Sequence, residues 1–206
     1  GLFLGAGSVM HAMNDETDIR KMGGLWRAMP VTGITFTIGA LSLAGIPIFA
    51  GFWSKDEVLL AVLDHRNYLL VFALIGAFLS AMYMARVLFT VFFGEAREEN
   101  RNVHESPVVM LAPMLVLAAL ALVFGFISIR ATDLGGIGTF LFFRHAHEFE
   151  FNLGLGIGSI VLAVGAFVLA RQIYLRRSIS LEPWQARFSG VLRVVSNKYY
   201  VDELYQ

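Results

Sequence analysis

The stretch Gly45-Ile46-Pro47-Ile48-Phe49-Ala50-Gly51-Phe52-Trp53-Ser54-Lys55-Asp56-Glu57 lies inside a mostly apolar segment running from Val31 to Leu63. Residues 31 to 63 make 33. An unbroken helix of that length would measure roughly 50 Å and overshoot a hydrocarbon layer of ~30 Å. Pro47 removes an amide donor and clashes with the preceding turn, while Gly45 and Gly51 permit backbone angles closed to other residues. The segment therefore predicts a helix broken in its middle, with the first half ending near Ala44 to Gly45.

Composition supplies the solvent for that helix. Hydrophobic residues make up 57% of the chain, charged residues 16%, and the mean hydropathy is +0.66. That balance is far from the soluble one and indicates a membrane protein. The apolar runs near Val31 to Trp53, Tyr68 to Phe93, Val108 to Ile129 and Leu153 to Ala170 are each long enough to cross a bilayer as a helix. They are continuous rather than alternating, which disfavours strands. The expected fold is an all-α polytopic membrane bundle of about five segments with one broken helix, over residues 1–175. Residues 176–206 read as a surface segment: from Pro183, Trp184, Phe188, Val191, Leu192 and Val195 share one face, and Gln185, Arg187, Arg193 and Lys198 lie away from it.

The chain opens at Gly1 inside an apolar segment ending near Ala12 and stops at Gln206. It is expected to be a fragment cut at both ends, so the lack of a recognisable signal peptide carries no information. With no Cys, disulfides and thiolate metal sites are excluded.

Orientation follows from the basic residues. Arg20, Lys21, Arg27, Arg97, Arg101, Arg171, Arg176, Arg177, Arg187, Arg193 and Lys198 fall in connections on one side, against Arg66, Arg130 and Arg144 on the other. The richer side is expected to be cytoplasmic, or matrix in a mitochondrion. Lys55 and Arg86 are left inside membrane segments and need separate explanations.

For Lys55 the sequence offers a location. Ser54 followed three residues later by Glu57 matches a capping box, which predicts that the second half-helix starts at Ser54 with Lys55 in its first turn. There the positive end of the helix dipole and burial oppose the ammonium, whereas Asp56 and Glu57 favour it, so the amine is poised to load and release a proton. Irregular backbone at membrane depth is tolerated where protein or water covers it, as in transporters. The plainer reading is a lysine that snorkels to the nearer surface as an anchor.

Other polar residues invite weaker readings. Arg86 lies eight residues before Gly94, close enough to the helix end to reach headgroups or a neighbouring carboxylate. His11 ends the first apolar run, where an imidazole is suited to relaying protons between interior and loop, or is simply an interfacial group. His145 and His147 lack a third ligand, so no metal site is expected. Gly154, Gly156 and Gly158, with the small residues from Gly33 to Gly45, suit close helix packing. Glu95 to Glu105 reads as a solvated loop, with Pro107 restarting the next helix.

Four separated motifs are familiar: Leu2 to Ala12, Asp18-Ile19-Arg20-Lys21-Met22-Gly23-Gly24-Leu25, the Gly45 to Glu57 stretch, and Asn197-Lys198-Tyr199-Tyr200-Val201-Asp202-Glu203-Leu204-Tyr205. Together they resemble the largest antiporter-like subunit of respiratory complex I, subunit L of NADH:quinone oxidoreductase. That resemblance implies a bundle of two inverted repeats, each with a broken helix, whose midplane charges carry protons. It places this chain in the later part of the second repeat and at the start of a long lateral helix. It also implies a proton-transfer role for Lys55, followed by Asp56, and less uniformly for His11. Ser54, Asp56, Glu57 and Arg86 would support them, and Gly45, Pro47 and Gly51 would form the break.

By the same resemblance, other membrane subunits, the bilayer and protons are the partners, nucleic acid is not, and the membrane is a bacterial plasma or mitochondrial inner membrane. NADH, FMN, iron–sulfur clusters and quinone would be bound by other subunits, and this chain would hold no cofactor. The large subunit of multisubunit sodium/proton antiporters shares the Gly-Pro and Ser-Lys-Asp-Glu region and is the nearest alternative. A passive scaffold is another. An intramembrane enzyme is disfavoured, since His-Glu-x-x-His, Gly-x-Ser-x-Gly and paired intramembrane carboxylates are all missing.

Overall fold

A computed structural model describes residues 1–65, 67–96, 103–134, 152–179 and 186–201. Regular structure among the described residues is entirely helical. In chain order the helices are α1 (Leu2–Ala12), α2 (Pro30–Ala44), α3 (Ala50–His65), α4 (Asn67–Val87), α5 (Val108–Leu134), α6 (Leu153–Ala170) and α7 (Ser189–Ser196). The ends of α4 and α6 widen into π turns, Leu88–Phe92 and Arg171–Leu175.

Two continuous stretches, Tyr68–Phe92 and Leu153–Leu175, are long and apolar enough to cross a membrane. Their outward faces carry Tyr68, Phe72, Ile75 and Leu79 on α4, and Ile157, Val161, Val164 and Val168 on α6. The spacing of three and four residues makes each set one helical stripe, apolar and uncovered, as lipid requires. Facing inward are small residues. α4 packs on α6 through Ala81 and Ala166, with Ala44 of α2 in the same cluster, and all three are buried. In lipid there is no hydrophobic force between helices, so close backbone approach over small side chains supplies the adhesion. Of the glycines expected to do this in α6, Gly156 is buried but Gly158 faces open space, and Ala163, Ala166 and Ala170 take most of the load.

The connection from α1 to α2 belongs to the core. Met22, Leu25 and Met29 are buried with Val9, Phe36, Leu88 and Phe92. The amides of Leu25 and Trp26 donate to the carbonyls of Val91 and Phe92, each at 3.2 Å, and so pair oxygens at the π turn. A Cβ at Gly23 would collide with the Glu95 carbonyl, and Gly24, at φ 67°, would place one 2.6 Å from Ala96 Cα. The Gly23-Gly24 pair is therefore a contact surface between two backbones. Next to it the Trp26 ring stacks on Phe93 at 4.8 Å.

Glu105 is not solvated as its charged surroundings suggest. Its carboxylate accepts from the Val31 amide at 2.8 Å, the Thr32 amide at 3.3 Å and the Thr32 hydroxyl at 2.6 Å, and from the Ser106 amide at 3.2 Å. Met29 provides no side-chain cap, and the acid that takes the orphaned amides of α2 comes from 73 or 74 residues away. Buried Ser8 closes the cluster, bonding Thr32 Oγ1 at 3.3 Å and the Ser106 hydroxyl. The cluster pins α1, α2 and the entry to α5 at one level. The surface segment is described as α7 and the turn after it, so Pro183 and Trp184 lie outside the described residues.

Two outcomes follow. Glu105→Ala should lower the stability of the full-length protein by roughly 2 kcal/mol, the size of a lost charged cap. Thermal unfolding in detergent measures this, with Glu105→Gln intermediate and exposed Glu95→Ala silent. In the connecting loop, Asp18 is pulled from its ordinary 3.8 to about 2 by the Arg20 side chain and then the Arg20 amide. Its stabilisation is complete above 3.8 and is lost as pH falls through about 2. Arg20→Gln should return the Asp18 titration, followed by carboxyl NMR, toward 3.8.

Candidate functional site

The break in the long apolar segment is built by three glycine or proline effects. α2 ends at Ala44, and Gly45 takes the left-handed conformation at φ 81°, the usual terminator where a Cβ would be strained. Pro47 lies in the non-helical link from Gly45 to Phe49. Gly51 then passes so close to α2 that a Cβ there would collide with the Ser42 carbonyl.

The second half-helix does not start at Ser54. α3 begins at Ala50, and the Ser54 hydroxyl donates back to the Gly51 carbonyl at 3.3 Å from inside the helix. The early amide of Gly51 is satisfied by the Ser42 hydroxyl of α2 at 3.2 Å. A hydroxyl delivered from the other half-helix thus replaces the local capping box, and Ser54 and Glu57 are exposed. Lys55 consequently sits in the second turn of α3, beyond the reach expected for the dipole at its start.

Its ammonium lies instead at the far end of α2. Lys55 Nζ donates to the carbonyls of Leu43 at 3.0 Å and Ala44 at 3.3 Å, and to Ser80 Oγ of α4 at 3.2 Å. Those carbonyls are among the last four of α2, which have no amide of their own helix to accept, and the negative end of the helix dipole attracts a cation there. Gly45 makes the contact possible twice over, by ending the helix and by leaving space: a Cβ would come 3.0 Å from Lys55 Cδ. Among the described residues Lys55 has no carboxylate within ion-pair distance. Asp56 turns away into the bundle, 2% exposed, and its Oδ1 has no hydrogen-bond partner among the described residues.

The remaining expected residues lie apart from this centre. Arg86 places its guanidinium 5.4 Å from the centre of the Tyr174 ring, a cation–π contact near the Arg-rich end of α6. His11 is exposed in the last turn of α1, one turn beyond buried Ser8. His145 and His147 lie outside the described residues, and no cluster of metal-ligating side chains occurs among the described ones. Sequence reasoning missed Ser42 and Ser80. The available signal was a hydroxyl in an otherwise apolar membrane helix, which must find a partner.

Residues 1–80 match the family described as NADH:quinone oxidoreductase/Mrp antiporter, TM. The match covers 80 of the chain's 206 residues. It is 36% identical to NADH-quinone oxidoreductase subunit L of Campylobacter jejuni over 205 residues, 99% of this chain and 33% of that protein. Against the subunit L of Mycobacterium tuberculosis it is 49% identical over 123 residues, 57% of this chain and 19% of that one. With the F(420)H(2) dehydrogenase subunit L of Methanosarcina mazei the identity is 33% over 233 residues, 99% of this chain and 34% of the relative. The chain thus spans about a third of the length of the curated relatives that it matches throughout.

The close approach at the break gives a direct test. Gly51→Ala should cost about 1–3 kcal/mol, because backbone rather than a flexible side chain occupies the space. Gly76→Ala, where a Cβ would meet nothing within 4 Å, should be neutral or stabilising. Thermal unfolding of the two full-length variants distinguishes them.

Proposed function

We propose that this chain is part of an antiporter-like, proton-translocating membrane subunit of NADH:quinone oxidoreductase, in which Lys55 takes up and releases the proton. The observation that carries the reading is an ammonium held at a helix break by two orphaned carbonyls and one hydroxyl. An amine inside a membrane bundle marks an ion path more often than a structural need. The relatives bearing the subunit L name, matched over 99% of the chain, support the same reading.

In this mechanism electron transfer takes place in other subunits, which hold NADH, FMN, iron–sulfur clusters and quinone. Quinone reduction shifts charge along a hydrated polar axis. Lys55 receives a proton from that axis and releases it toward the side opposite the Arg-rich connections, which face the cytoplasm or matrix. Asp56, buried beside Lys55 in sequence but on another face of α3, biases that exchange by its charge. His11, exposed at the loop end of α1, exchanges protons with solvent. About five crossings, with α2 and α3 forming the broken one, frame the path. No covalent chemistry occurs in this chain.

The test is made in the assembled complex carrying the full-length subunit. Lys55→Ala should abolish proton translocation through this subunit. Lys55→Arg, whose guanidinium does not deprotonate in proteins, should strongly impair it. The proton-to-electron ratio in proteoliposomes reads both, and a normal ratio in the two variants makes Lys55 a mere anchor.

A further inference from the structure

Ser80 is the one side-chain partner of Lys55 among the described residues, and it differs in kind from the other two. The carbonyls of Leu43 and Ala44 can only accept. A serine hydroxyl accepts and donates, and its hydrogen is free to rotate. In the structure Ser80 Oγ accepts from Lys55 Nζ at 3.2 Å while donating to the Ala77 carbonyl at 2.8 Å. Three acceptors thus face the three N–H bonds of an ammonium.

The match changes when the amine is neutral. Nζ then has two N–H bonds, which the two carbonyls take, and a lone pair, which faces Ser80. Rotation about the Ser80 Cβ–Oγ bond moves the hydroxyl hydrogen from Ala77 O to Nζ. The Ala77 carbonyl is not orphaned by this, because it lies inside α4, where the amide four residues on is its helical partner.

Resting on the reading of Lys55 as the proton carrier, we propose that Ser80 is a hydrogen-bond switch. It accepts from the ammonium, donates to the amine, and lets Lys55 change protonation at the helix break with every polar group paired. Ser80 keeps its own hydrogen throughout. The proton gained or lost by Nζ is exchanged with water.

Ser80→Thr and Ser80→Val, placed in the full-length subunit of the assembled complex, differ from each other by a hydroxyl against a methyl. Ser80→Thr should keep the wild-type proton-to-electron ratio. Ser80→Val should slow proton transfer through this site roughly ten-fold, the weight of one charge-assisted hydrogen bond, and so lower the proton-to-electron ratio. Equal pumping by the two variants, whether intact or impaired in both, overturns the switch. Should Ser80→Val not assemble, Ser80→Ala removes the hydroxyl without added bulk, and full pumping by it overturns the switch equally. A normal ratio in Lys55→Ala would instead remove the reading on which the switch rests.

Discussion

A helix that stops among apolar side chains leaves its last carbonyls without amide partners, and those side chains offer none. That deficit governs the architecture around α2. Leu43 and Ala44 find the Lys55 ammonium, which approaches from the following half-helix and has its own third hydrogen satisfied by Ser80 on α4. One cation thereby joins three helices, and its position is set by the break rather than by a countercharge.

The two ends of α2 are treated alike, with opposite signs. At its start the orphaned amides receive Glu105, an anion supplied by the segment that leads into α5. At its finish the orphaned carbonyls receive Lys55. Each charge complements the local end of the helix dipole, so a 15-residue helix is clamped at both ends by groups from distant sequence. The clamp at the start carries a hydrogen-bonded cluster of Ser8, Thr32 and Ser106, which ties α1 into the same layer. Ala44 of α2 and Ala81 of α4 are buried in one small-residue cluster with Ala166 of α6, beside the Ser80 that reaches Lys55.

A buried carboxylate follows the lysine, and it does not pair with it. Asp56 points to a different face of α3, and its Oδ1 has no partner among the described residues. Adjacent opposite charges in sequence project about 100° apart on a helix, so proximity in the chain does not make an ion pair. The arrangement separates the Lys55 ammonium, held at the end of α2, from a second, buried polar group within the bundle.

How much of this was legible depends on how local each cause is. Proline and glycine act on their own backbone, so the end of α2 at Ala44 and Gly45 could be read directly from the Gly45 to Gly51 stretch. Apolar runs act by length and composition, so the helices were legible too, including the two long enough to cross a membrane, Tyr68–Phe92 and Leu153–Leu175. The start of α3 was misread because Ser54 and Glu57 have the spacing of a capping box, yet the hydroxyl that serves an early amide of α3 is Ser42, nine residues before its Gly51 partner. Glu105 was misread as solvated because its partners lie 73 and 74 residues earlier. The sequence by itself determined that a lysine stands beside a broken helix in an apolar segment, since hydrophobicity and backbone stereochemistry are properties of the residues. Only the tertiary structure decided which end of which helix receives that lysine and which hydroxyl completes its shell, because hydrogen bonds between separate helices depend on how those helices are packed.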